Sequence, residues 1–150
     1  MATMSLKIVK LMENPFYISD IIAKISKNYK KRSVNLWEIY IIVPLFFNSE
    51  CRKIFINTSS SGRIEKLFLK KDDLLEILFE EKKYYKNIIN KALIISIDHN
   101  KILLNKLNGE IKFKDFETNL DDESEKVLKK ICGVMSKEKL EFILTVLGGE

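Results

Sequence analysis

The chain has 150 residues, 46% hydrophobic and 31% charged, which is enough to bury a core without disulfides or metals and excludes a largely disordered protein. A net charge of +5 and a pI near 9.1 invite a nucleic-acid partner. Of 26 basic residues, however, only Arg32, Arg52 and Arg63 are arginine, the residue that bidentate recognition of phosphate and guanine favours.

Cys51 and Cys132 lack C-x-x-C spacing and fit reduced thiols in a reducing cytoplasm. The N-terminal stretch MATMSLKIVKLMENP has neither the continuous apolar segment nor the cleavage site of a signal peptide, so a cytoplasmic location is expected.

The first predicted helix is capped by Asn14, carries Pro15 at its first position, and lines up Ile18, Ile21, Ile22, Ile25 and Tyr29 on one face. Lys27, Lys30, Lys31 and Arg32 gather at its far end. They suit the negative end of the helix dipole, and they are also the candidate DNA contacts. Asn35 then reads as an N-cap with Glu38 at the capping-box position. The run WEIYIIVPLFF is apolar on every face and marks a helix buried at the centre of the domain, kinked or ended by Pro44. A polar turn with Asn48, Glu50, Arg52 and Lys53 follows, leading to a short helix or extended piece through Ile54 and Ile56. Thr58 to Ser61 supply a hydroxyl-rich cap for a short helix from Gly62.

Between Asp72 and His99 two helices are expected, separated by a charged turn at Glu80 to Lys83. Ile102 to Lys114 reads as a hairpin with a type I′ turn at Asn108 and Gly109. That turn pairs Lys106 with Ile111 and Leu104 with Phe113, so that Ile102, Leu104, Ile111 and Phe113 share a buried face. A hairpin directly after helices is the wing arrangement of winged-helix domains. Residues 117–124 are acidic enough for a linker, and two amphipathic helices, Glu125 to Met135 and Ser136 to Leu147, follow. Ser136 is the N-cap of the second, and Gly148 with Gly149 ends it. The expected fold is mainly α (α+β), a helical domain with a β-hairpin, winged-helix-like. It comprises a core over 1–116, the linker, and a C-terminal helical pair over 125–150 packing on the core or on a partner.

Catalytic equipment is sparse. His99 is the lone histidine, neither cysteine carries a nucleophile signature, and Asp121, Asp122, Glu123 and Glu125 look like a helix-start cluster. Five glycines form no phosphate loop or dinucleotide fingerprint. A binding module with no catalytic, metal or cofactor residues is expected, not an enzyme.

Asn14 and Pro15 opening a helix, Pro44 and Leu45 near the end of a hydrophobic one, Asn48 followed by Arg52, and a Ser/Thr-rich turn leading into a helix at Thr58 to Arg63 together resemble a known family. It is the middle component of bacterial three-component ABC conflict systems, which includes the small middle subunit of Lamassu-type antiphage defence. The resemblance covers roughly the first 100 residues; Asn48 stands where the family would have a histidine. It implies a non-enzymatic adaptor coupling an SMC-like ABC ATPase, the DNA sensor, to an effector that is often a nuclease. Asn48, Arg52, Ser60 and Arg63 would then lie at or support a partner surface. The alternative is a stand-alone winged-helix DNA-binding regulator, with the helix Tyr85 to Asp98 in the major groove. A small antitoxin or inhibitor acting through the C-terminal helices is a third reading.

Overall fold

In a computed structural model that describes residues 13–59, 62–117 and 120–148, the first helix, α1 (Pro15–Asn28), begins as its sequence dictates. The Asn14 side chain accepts from the backbone N–H groups of Phe16 and Tyr17, and Pro15 occupies a position that needs no donor. Strand β1 (Val34–Asn35) runs directly into α2 (Leu36–Phe47), where Asn35 and Glu38 form the expected capping box. Helix α2 runs on past Pro44, and the Asn48 N–H closes it on the Pro44 carbonyl at 3.0 Å. Ile39, Ile42, Val43 and Phe46 are fully buried.

Helix α3 (Ser49–Ile56) is capped by Asn48. Thr58 closes α3 by donating its hydroxyl to the Ile54 carbonyl at 2.6 Å, so it does not cap the next helix. That helix, α4 (Ile64–Leu67), follows Arg63 without a side-chain cap. Ser60 and Ser61 lie outside the described residues.

Residues 72–98 form one unbroken helix, α5 (Asp72–Asp98), not two. Glu80 to Lys83 are good helix formers, and the buried stripe Leu74, Leu78, Tyr85, Ile89, Ala92 and Ser96 passes through them without a break. At 27 residues α5 spans about 40 Å, and α1 and α2 both pack along it. Beyond its end, buried Lys101 ties the strand start back to α1, with Nζ 2.8 Å from Asp20 Oδ1 and 3.2 Å from Ser19 Oγ.

Strands β2 (Ile102–Leu104) and β3 (Glu110–Phe113) form the hairpin, and β1 pairs with β3, giving a three-stranded antiparallel sheet of order β1-β3-β2. The register differs from expectation: Leu104 faces Ile111 and Ile102 faces Phe113. The turn is longer than type I′, and only Gly109 takes a positive φ, 78°. Two Asn side chains build it, Asn105 accepting from the Leu107 N–H and Asn108 from the Glu110 N–H, each at 2.9 Å. Because the slip is by two residues, the faces are unchanged: Ile102 and Ile111 are buried, and Leu103 and Lys112 are exposed.

Helix α6 (Asp122–Met135) starts inside the expected linker. Asp121 is its cap, accepting from the Ser124 N–H at 3.1 Å, and Asp122, Glu123 and Glu125 sit in the first turn where the dipole favours them. Val127, Leu128, Ile131 and Cys132 are fully buried against α1, α2 and α3 in the same core cluster. Ser136 continues the helical backbone and ends α6, so it is not the cap of a following helix. The closing segment is a short helix, α7 (Leu140–Ile143), running into a π-helical turn, Leu144–Gly148. The described chain is thus mainly helical with a small antiparallel sheet.

Candidate functional site

The polar turn after α2 is tied inward at three places. Asn48 accepts from the Cys51 N–H at 3.0 Å and donates from Nδ2 to Glu81 of α5 at 2.8 Å. Arg52 lays its guanidinium over the Phe46 ring, 4.9 Å from the centroid, and donates from Nη2 to Ser124 of α6 at 3.0 Å. Its Nε is buried without a partner. Arg63 Nε stands 2.9 Å from Glu138 Oε1, with its side chain 54% exposed. Ser60 is outside the described residues. Asn48 and Arg52 therefore brace α3 against α5 and α6, and Arg63 faces both solvent and the segment before α7.

Arg32 belongs to a second latch. Glu38, 0% exposed, receives Arg32 Nη1 at 2.6 Å and Nη2 at 2.8 Å, the Asn35 N–H at 2.9 Å and the Tyr29 hydroxyl. Arg32 Nε donates to the Glu138 carbonyl at 3.0 Å. Burial, with the neighbouring Glu38 charge, holds the Tyr29 phenol well above its ordinary pKa. Of the other candidate DNA contacts, Lys27 is exposed with Nζ 5.5 Å from the Phe113 ring centroid, and Lys30 and Lys31 point into an open groove.

That groove has a volume of about 460 Å³ and is edged by six lysines: Lys30, Lys31, Lys126, Lys129, Lys130 and Lys137. Gly133 and Val134 form part of its lining, and among the described residues no carboxylate does. Lys130 donates to the Thr58 carbonyl and Lys137 to that of Gly62, at 3.0 Å for the latter. Sequence reasoning reached only Lys30 and Lys31. The spacing of Lys126, Lys129 and Lys130, one helix face, was the signal for the rest.

A second cleft of about 470 Å³ lies between α2 and α5, walled by Trp37, Tyr40 and Phe79 and rimmed by Lys82, Lys83 and Lys86. Trp37 is 60% exposed. Tyr40 bonds across to Asn90, Lys83 Nζ sits 4.4 Å from the Phe79 centroid, and Lys82 donates to the Gly148 carbonyl at 2.8 Å. Burial lowers the Lys82 pKa. Exposed Trp37 could have been singled out from its place at the first turn of a helix whose other residues are core.

The two thiols are buried, and burial pushes Cys51 up to about 12 and Cys132 higher still. His99 is exposed at the end of α5, 6.5 Å from the Phe16 ring. Among the described residues no three His, Cys, Asp or Glu side chains gather as metal ligands, and no helix is long and apolar enough to cross a membrane. No curated protein and no solved structure matches the chain. The family model for the ABC-three component (ABC-3C) system Middle Component 3 matches residues 3–148, both the helical core and the C-terminal segment. The chain therefore belongs to this family and is a middle component of a multi-component ABC system.

Proposed function

We propose that the chain is a non-enzymatic adaptor that couples an SMC-like ABC ATPase DNA sensor to an effector, often a nuclease, in a Lamassu-type antiphage defence complex of the cytoplasm. Membership of a middle-component family supports the adaptor role, and the observation that carries it is the Trp37 cleft. A large aromatic side chain 60% exposed, set between Tyr40 and Phe79 inside a lysine rim, has the make-up of an interface hot spot: an aromatic anchor with charge around it. Its occupant in this reading is an acidic, apolar segment of another component. By helical spacing Ile94 and Ile97 lie near the same face of α5 as Phe79 and are also exposed. In this reading Asn48 and Arg52 act indirectly, by fixing α3 to α5 and α6, and Arg63 meets a partner through the part of its side chain left in solvent beside Glu138.

The strand order β1-β3-β2, with α5 directly before the hairpin, supports a winged-helix-like plan. A stand-alone DNA-binding regulator built on that plan is disfavoured. Its major-groove helix would present exposed Ile94 and Ile97 beside Lys91, and apolar side chains gain nothing against phosphate.

Co-expression with the ATPase and effector subunits tests the reading. Trp37→Ala should cut recovery of the complex severely, since a hot-spot aromatic contributes about 2 kcal/mol or more, roughly thirtyfold in affinity, and Arg63→Gln should reduce it less. Both isolated variants should unfold near the wild-type temperature. Unchanged recovery in both, or nucleotide hydrolysis by the isolated chain, sinks the proposal.

A further inference from the structure

We infer that the lysine-edged groove between the end of α1 and α6 is a binding site for the phosphate backbone of a nucleic acid, separate from the Trp37 cleft. It stands independently of the adaptor reading, because binding there needs no partner subunit.

Four observations carry the inference. Lys30, Lys31, Lys126 and Lys129 are exposed and make no hydrogen bond or ion pair among the described residues. They come from two distant parts of the sequence and converge on one groove. Among the described residues no carboxylate lines this groove; of those near it, Glu125 is held by Lys24 at 2.8 Å and Glu138 by Arg63, while Asp122 and Glu123 sit in the first turn of α6. Like charges held together without a counter-charge repel one another, and an anion relieves that repulsion.

The helix dipole accounts for only part of the cluster. Lys126, Lys129 and Lys130 lie between the first and last turns of α6, beyond the reach of its dipole, and only Lys30 and Lys31 follow a helix C-terminus, that of α1. Gly133 is the fourth observation. A Cβ there would meet nothing within 4 Å, so no packing among the described residues explains a glycine in a helix interior, where it costs about 1 kcal/mol relative to alanine. In the groove it leaves room for a ligand to approach the helix backbone closely.

A phosphodiester chain fits better than an acidic protein, for two reasons. The groove offers ammonium point charges on flexible stems, which suit the regular, sequence-independent charges of a backbone. It also lacks the exposed aromatic anchor that the other cleft provides. The contacts therefore position a nucleic acid without reading its bases.

Fluorescence anisotropy of the full chain with short labelled duplex DNA, single-stranded DNA and RNA tests this, with unlabelled polyglutamate as competitor. Four phosphate contacts give a log–log salt slope of about −3.6 on duplex DNA, a loss of about two orders of magnitude between roughly 50 and 200 mM salt. Lys126→Glu/Lys129→Glu should weaken binding about tenfold or more at low salt, and so should Gly133→Glu, which adds one carboxylate where there is open space. Lys83→Glu/Lys86→Glu, matched in charge to the first variant but placed at the Trp37 cleft, should change it little. Comparison of the three nucleic acids identifies the source of the backbone. The inference is overturned by any of four results: no binding at low salt, wild-type binding by folded groove variants, an equal loss in the charge-matched control, or polyglutamate competing as well as single-stranded DNA.

Discussion

Arg32→Met tests whether a cation that looks like part of a basic surface is in fact a strut. The guanidinium holds both oxygens of Glu38, at 2.6 and 2.8 Å, and also donates to the Glu138 carbonyl, while Glu38 is 0% exposed. Methionine keeps the apolar stem and removes the charge. The Glu38 carboxylate would keep the Tyr29 hydroxyl and the Asn35 N–H but would have no cation within a dry site. Removing one partner of a buried ion pair costs about 3–5 kcal/mol, a large part of the roughly 5–15 kcal/mol that stabilises a domain. For a chain of this length that is a fall of about 10–15 °C in Tm. Thermal unfolding followed by circular dichroism measures it, and Arg32→Met/Glu38→Gln completes the comparison. With no buried charge left uncompensated, the double variant should be more stable than Arg32→Met alone. A fall in Tm of less than about 3 °C, the scale of an exposed ion pair, or strictly additive losses would refute the strut.

Further expectations concern the turn, the groove and pH. Gly109 has φ +78°, and a Cβ there would stand 3.2 Å from the amide of Asn35, the residue that caps α2. Gly109→Ala should therefore cost about 1–2 kcal/mol, read as a lower urea midpoint. Gly133→Ala should instead stabilise by about 0.5–1 kcal/mol, read as a higher midpoint, because its Cβ meets nothing. Burial raises the Cys51 thiol to about 12, and the Cys132 thiol and Tyr85 phenol further. The native state keeps protons that the unfolded chain releases from about pH 8.5 for thiols and about 10 for phenols. Stability should be independent of these groups below about pH 8 and fall above it, by about 1.4 kcal/mol per pH unit for each thiol released. A urea midpoint equal at pH 7 and pH 10 contradicts this. In native protein near pH 8 neither thiol should react with a disulfide reagent, and both should do so in denaturant.

Local chemistry made much of the fold legible. Asn14 with Pro15, and Asn35 with Glu38, announce helix starts through hydrogen bonds that span only a few residues, and an apolar run on every face can only be interior. What was hidden depends on distant residues. Glu80 to Lys83 look like a turn until Leu78 and Tyr85 are seen to sit on one buried face seven residues apart. Strand β1 is two residues long and exists because β3 is beside it. The site follows the same division. The lysine face of α6 is visible in its spacing, but the convergence of Lys30 and Lys31 upon it is a tertiary fact. Asn48, Arg52 and Arg63 stood out as polar residues in a turn, and the ties that each makes to α5, α6 or Glu138 were beyond any local pattern.

The arginines share one employment, whereas lysines both brace the chain and edge the two clefts. All three arginines of the sequence hold other parts of this chain: Arg32 on Glu38, Arg52 on Phe46 and Ser124, Arg63 on Glu138. The planar fork serves that use, since it fixes direction as well as charge. Lysines edge both the groove and the Trp37 cleft. A surface of point charges on flexible stems attracts anions in proportion to their charge but discriminates poorly among shapes. Selectivity for one partner over another then has to come from apolar contacts. Among the described residues Trp37, Tyr40 and Phe79 are the aromatic cluster open to solvent within a cleft. Substitutions on the groove should consequently alter how strongly and with what salt dependence the chain holds an anion, while substitutions at Trp37 should alter which protein it holds.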